Sequence, residues 1–130
     1  THVLFQKEDI QLQKQTHPDA IVIAHPECLP EVQETADYVG STSKMCHYAN
    51  QLPTKEFIIA TESGLIHRLK KENPTKEFYL AYDGAICPNM KLNTLERLHQ
   101  SLVQENHVVT LPKSVATKAR KTLENMFQIT

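Results

Sequence analysis

The sequence predicts an α/β fold, a three-layer α/β/α arrangement with a mainly parallel sheet, and three observations predict it. Short apolar runs at 20–24, 57–60, 78–81 and 108–111 read as buried strands, too short for helices. Stretches with apolar residues at helical spacing separate them, so strand and helix alternate along the chain. The connections are short, without a low-complexity linker, fixed-period repeat or charge block. Such alternation gives parallel strands covered by helices on both faces.

Taken in order, residues 6–15 are good helix formers with few apolar members, which predicts an exposed helix ending before His17-Pro18. Residues 20–24 make the first strand, which Pro26 stops. Beyond Leu29, the apolar residues Val32, Ala36 and Val39 fall at helical spacing, read as helix to about Ala36 and then a short strand. Ser41-Thr42-Ser43 is expected to cap an amphipathic helix carrying Met45, Tyr48, Ala49 and Leu52, which Pro53 closes. The strand at 57–60 turns through Thr61-Glu62-Ser63-Gly64 into a helix with Leu65, Ile66 and Leu69, ended by Asn73-Pro74. A strand at 78–81, a loop over 82–90 and a helix with Leu92, Leu95, Leu98 and Leu102 follow. A last strand at 108–111 and a helix lined by Val115, Ala119, Leu123 and Met126 complete the pattern. The expected organisation is one domain over 1–130, with 106–130 free to pack on a neighbouring domain.

A length of 130 residues suits one hydrophobic core. The 14 basic and 15 acidic residues are interspersed and nearly cancel, leaving no electrostatic ground for nucleic acid or an anionic membrane as partner. No apolar run approaches the ~20 residues that span a bilayer, and the start does not read as a signal peptide, so a cytoplasmic location is expected. Three cysteines without paired spacing argue for a reducing compartment rather than a disulfide framework. The chain opens on Thr1 rather than Met, which raises the expectation of a fragment.

The chemistry concentrates at His25-Pro26-Glu27-Cys28, immediately behind the first strand. In open α/β sheets ligands bind outside the carboxyl ends of the strands, so His25 and Glu27 are candidates for acid/base work, with partial burial moving both pKa values toward neutrality. The plain structural alternative is a turn in which Glu27 caps the next helix. Zinc finds too few ligands, because the other close pair, Cys46-His47, falls inside a predicted helix. Gly40-Ser41-Thr42-Ser43, where strand becomes helix, offers N–H groups and hydroxyls to a phosphate or carboxylate, against simple N-capping. Glu62 either positions a substrate group or merely occupies a first helical turn, where acids are favoured. Cys87-Pro88 lies in a Gly-containing loop, and Cys-Pro recurs in iron–sulfur ligation, although one thiolate holds no cluster by itself. His17, His67, His99 and His107 have no evident partners in the pattern.

Together, His25-Pro26-Glu27-Cys28, the run Ala36-Asp37-Tyr38-Val39-Gly40-Ser41-Thr42-Ser43, Ala60-Thr61-Glu62 with Leu65 and Arg68-Leu69, and Cys87-Pro88-Asn89-Met90 resemble the ordered signatures of the quinolinate synthase family. The resemblance covers nearly the whole chain. It implies one of three α/β/α domains related by a pseudo-threefold axis, the carboxyl-terminal part of an enzyme, a transferase of NAD biosynthesis. That enzyme condenses iminoaspartate with dihydroxyacetone phosphate to quinolinate and uses a 4Fe-4S cluster held by one cysteine from each domain.

Carried over, the resemblance makes Cys87 the metal ligand, Glu27 and His25 catalytic, and His2, His25, Glu27, Ser41 and Thr42 substrate-binding. His2 resembles the histidine that follows the family's middle cluster cysteine, which places that cysteine and the first one upstream of Thr1. Neither Cys28 nor Cys46 stands where a cluster ligand is expected. The chain is therefore expected to need missing amino-terminal domains as partners, to be inactive alone, and to expose apolar faces that favour self-association. Two further readings stand beside this one, a non-catalytic α/β anion-binding or partner module and an iron-free phosphate-ester enzyme using His25 and Glu27.

Overall fold

Four strands rich in β-branched and aromatic residues form the centre of the first of two units in the computed structural model, which describes residues 1–129. They are β1 (Ile21–Ala24), β2 (Tyr38–Val39), β3 (Glu56–Ala60) and β4 (Glu77–Leu80), in the order β2-β1-β3-β4 and all parallel. β1 and β3 pair along their full common length, from Ile21 opposite Phe57 to Ala24 opposite Ala60. Both central strands are buried on two sides, which is why they read as continuous apolar runs rather than alternating ones.

The two faces form separate cores. Val22, Ala24, Ile58 and Ala60 point to one face, where Ile10 of α1 (Lys7–Thr16) and Val32 of α2 (Pro30–Glu34) cover them. Ile23, Phe57 and Ile59 point to the other, against Met45, Cys46 and Ala49 of α3 (Thr42–Gln51) and Leu69 of α4 (Leu65–Glu72). Each large aliphatic or aromatic side chain so buried contributes about 1.5–3 kcal/mol. This is the three-layer α/β/α arrangement that the alternation predicts. The chain steps outward from β1 to β2 and in the opposite direction from β3 to β4, and a constant crossover hand puts α2 and α4 on opposite faces.

Local signals set the boundaries. A capping box at Gln6 and Asp9 starts α1, the Gln6 N–H donating to Asp9 Oδ2 at 2.8 Å. Pro30 stands at the first turn of α2, where its missing N–H costs nothing. Asn73 ends α4, its backbone and side-chain amides both donating to the Leu69 carbonyl. Asp37 lengthens the β1–β2 ladder, since its N–H donates to Val22 O and its carboxylate accepts from Val22 N, at 2.9 and 2.8 Å. Gly40 leaves room for the Tyr38 ring, which a Cβ there would meet at 2.7 Å, and Tyr38 stacks on Tyr48 of α3.

The four-residue helix α5 (Pro88–Lys91) follows the loop after β4. The second unit holds α6 (Leu95–Gln104), with the Thr94 hydroxyl accepting from Arg97 N, and α7 (Lys113–Phe127). Residues 108–111, expected as a last strand, are irregular. A strand needs a partner for its N–H and C=O groups, and no strand lies among the described residues of that unit, so Val108 and Val109 stay exposed. No helix of the described residues is long and apolar enough to cross a membrane.

The Lys76 ammonium donates to the carbonyls of Ala49 and Leu52 at 2.6 Å each, closing the carboxyl end of α3. Hydrogen bonds from a charged donor are worth about 1.5–3 kcal/mol, so Lys76→Met is expected to destabilise by about 2 kcal/mol in a urea titration.

Candidate functional site

At the carboxyl edge of the sheet the strands end one beside another. The His25 N–H donates to Ala60 O at 3.0 Å and the Gly40 N–H to Ala24 O at 3.1 Å, so the ladder runs one residue beyond each strand before the chains diverge. His25, Gly40 and Thr61 therefore emerge side by side, with Ser41 one residue further on. Because the direction of travel across the sheet reverses between β1 and β3, this is the topological switch point, the place where open α/β sheets generally bind ligands.

His2, in the short 3-10 turn His2–Leu4, lies at that edge and is anchored by the fully buried Phe5 behind it. Its Nδ1 lies 2.9 Å from Glu27 Oε2 and its Nε2 lies 3.0 Å from Thr61 Oγ1. Its ring stacks on His25 with centroids 4.1 Å apart and planes within 8°. The turn carrying Glu27 is fixed by Gln33, whose side-chain amide donates to the Pro26 and Cys28 carbonyls, and by the Glu27 N–H, which donates to His25 Nδ1 at 3.2 Å. Burial lowers the His25 pKa below the ordinary imidazole value of 6.5, neighbouring His2 lowers it further, and Glu27 opposes. The burial expected of Glu27 is absent, since its side chain is 73% exposed.

His2, His25 and Glu27 bring one ligand atom each within 4.8 Å of one another. A metal sits in the ring plane along an imidazole lone pair, however, and two parallel rings share no such point, so in this arrangement the three do not chelate one ion.

Ser41 and Thr42 are exposed at the amino end of α3, and Ser41 makes no side-chain cap, so the expected capping role is not taken up. Cys87 stands on the loop after β4, immediately before α5. Hydrogen bonding from the Met90 backbone lowers its thiol pKa, with the Thr1 hydroxyl and the Asn89 backbone adding to the effect. Burial instead raises the pKa of Cys28 and of Cys46. The Cys28 thiol turns into the core toward Ala60 O, and Cys46 packs among the side chains of the opposite face.

Two residues gain roles that sequence reasoning did not assign. Thr61 is a partner of His2. Glu62, 8% exposed, accepts from Gly64 N at 2.7 Å and from Cys87 N at 3.3 Å, while Ser63 N donates to Ala85 O, so the β3–α4 turn clamps the Cys87 loop. The available signal was position, a polar pair at a strand's carboxyl end.

The fold and the edge cluster define a parallel α/β domain with imidazole and carboxylate groups at the carboxyl edge of its sheet and a thiol on the loop after β4. Residues 1–128 match the family model described as Quinolinate synthetase A protein, and the chain belongs to that family. It is 45% identical over 129 residues to the quinolinate synthase of Caldicellulosiruptor saccharolyticus and 48% identical to that of Thermodesulfovibrio yellowstonii, covering 99% of this chain and 43% of each relative. The quinolinate synthase of Methanosarcina barkeri is 46% identical over 99% of this chain and 42% of its own length. The chain thus spans less than half of the curated relatives it matches.

Cys87 is expected to alkylate with iodoacetamide faster, and from lower pH, than Cys28 or Cys46, as peptide mapping over a pH series reads directly. Equal rates at all three would contradict the site described. For His25, folded and unfolded states are both neutral well above pH 6.5. As pH falls through 6.5 the unfolded chain takes up the proton first, so stability declines until the lowered folded pKa is passed. Urea midpoints should accordingly drop more between pH 7.5 and 5.0 for the wild type than for His25→Asn.

Proposed function

We propose that this chain forms the carboxyl-terminal part of a quinolinate synthase, which condenses iminoaspartate with dihydroxyacetone phosphate to quinolinate in NAD biosynthesis. The observation that carries the reading is the convergence of His2, His25 and Glu27 at the switch point of a chain belonging to this family. Glu27, exposed at this edge, takes a proton from carbon beside a carbonyl during enolisation and returns it to one hydroxyl group, which leaves as water. His25 accepts from the Glu27 N–H through Nδ1, so its neutral ring carries the proton on Nε2 and donates it to a substrate oxygen. His2 forms the wall against which His25 stacks. The hydroxyls of Ser41 and Thr42, with the first N–H groups of α3, bind the substrate's phosphate or a carboxylate.

Cys87 fits one ligand of a 4Fe-4S cluster, because an accessible sulfur whose thiolate is favoured is the donor such iron takes. When bound, the cluster supplies a Lewis-acidic iron to the substrate. In this reading 1–130 is a single α/β/α domain of a three-domain enzyme, cytoplasmic, with 106–130 packing on a neighbour, and the other domains are its partners.

The test is quinolinate formation under anaerobic reconstitution by a polypeptide in which this sequence is preceded by the additional length that the relatives carry. Activity is expected there and absent from the 130 residues alone, and Glu27→Gln should lower it by about 10²-fold or more, the scale of acid/base catalysis. Cys87→Ser should abolish the brown charge-transfer absorbance. Full turnover by Glu27→Gln, or by the isolated chain, would overturn the assignment.

A further inference from the structure

We infer that Glu62 is a positioning residue for the Cys87 ligand: its buried carboxylate holds the Cys87 peptide N–H and so sets the thiol in place before any metal arrives. Glu62 follows β3 by way of Thr61 and is 8% exposed, a depth at which a carboxylate needs hydrogen-bond partners. The Gly64 N–H donates to Oε2 at 2.7 Å and the Cys87 N–H to Oε1 at 3.3 Å, with the Ser63 hydroxyl 3.5 Å from Oε1. The first bond belongs to the turn into α4. The second crosses 25 residues of sequence to the residue proposed above to bind iron.

The turn into α4 needs no glutamate. An aspartate would accept from the Gly64 N–H in an ordinary Asx turn, with one methylene fewer. What the longer side chain adds is reach, since one oxygen stays on the turn while the other crosses to the loop after β4. The Ser63 N–H also donates to Ala85 O at 2.9 Å, so two neighbouring residues grip that loop on either side of Ile86. Ala85 is fully buried and Ile86 half exposed, which fixes the direction in which the chain runs on to Cys87. Beyond the thiol, Pro88 disfavours helical backbone at Cys87 and has no φ rotation of its own. Held on both sides, Cys87 keeps mainly the rotation of its side chain, and the ordering entropy that metal binding would otherwise cost is already lost in folding. The relevance to iron rests on the function proposed above; the grip on the loop does not.

The experiment is amide hydrogen exchange, read by NMR on the ¹⁵N-labelled 130-residue chain, with Glu62→Asp as the separating variant. In the wild type the Cys87 N–H should be protected alongside that of Gly64. Glu62→Asp keeps the charge and the turn but falls short of the loop, so Cys87 should exchange about tenfold faster, the scale of one net hydrogen bond, while Gly64 is unchanged. In the polypeptide extended by the additional length that the relatives carry, anaerobically reconstituted, the same variant should release iron to ferrozine about tenfold faster than wild type. An unprotected wild-type Cys87 N–H, an equal rise at every amide, or iron release unchanged by Glu62→Asp overturns the inference. Should Glu62→Asp not fold, the wild-type protection of Cys87 and Glu62→Gln, whose single oxygen serves one N–H only, decide it. The exchange measurement contains neither iron nor substrate, so its failure is distinct from failure to make quinolinate.

Discussion

The parallel pairing of β1 with β3 is the constraint on which the site depends. These strands are separated in sequence by a helix, a short edge strand and a second helix, yet they pair residue by residue from Ile21 with Phe57 to Ala24 with Ala60. Side chains alternate between faces, so a slip of one residue would turn Val22 and Ile58 toward the wrong core and move every apolar contact. The same register sets His25 beside Ala60 and delivers Thr61 next to it. Core packing thereby fixes the distance between groups that never touch the core.

Polar chemistry survives at this edge because its partners are supplied. Among the described residues, no buried side-chain nitrogen or oxygen lacks a hydrogen bond. The Glu27–His2–Thr61 chain and the Glu62 clamp on the Cys87 loop meet the cost of leaving water within the protein itself. The clamp also sets dynamics. The loop over 82–90 is tied down by Ser63 to Ala85, by Glu62 to Cys87 and by the buried Ala85, while Ile86 and Met90 stay exposed around the thiol.

The second unit follows a different balance. Leu95, Leu98 and Leu102 recur on α6, and Val115, Leu123 and Met126 on α7, with half or more of each side chain exposed. Helical spacing of leucines predicts an amphipathic helix but carries no information about what its apolar stripe meets. Here the periodicity gave helices in the expected places, whereas the apolar run at 108–111 made no strand because strand formation is a property of a pair.

The sequence by itself determined the alternation of elements, the two-faced sheet and the position of the reactive groups. Apolar runs of four or five residues, Pro26, Pro53 and Asn73-Pro74 are local signals acting through backbone geometry and burial. The order of family signatures from His25 to Cys87 likewise survives in one dimension. Only the tertiary structure decided that His2 meets Glu27 and Thr61, that Glu62 serves the Cys87 loop as well as the turn into α4, and that Glu27 remains open to solvent. Those outcomes follow from strand order, β2-β1-β3-β4, which brings distant residues to one edge. Strand order is chosen by the summed packing of two cores, and no local stretch of sequence records that sum.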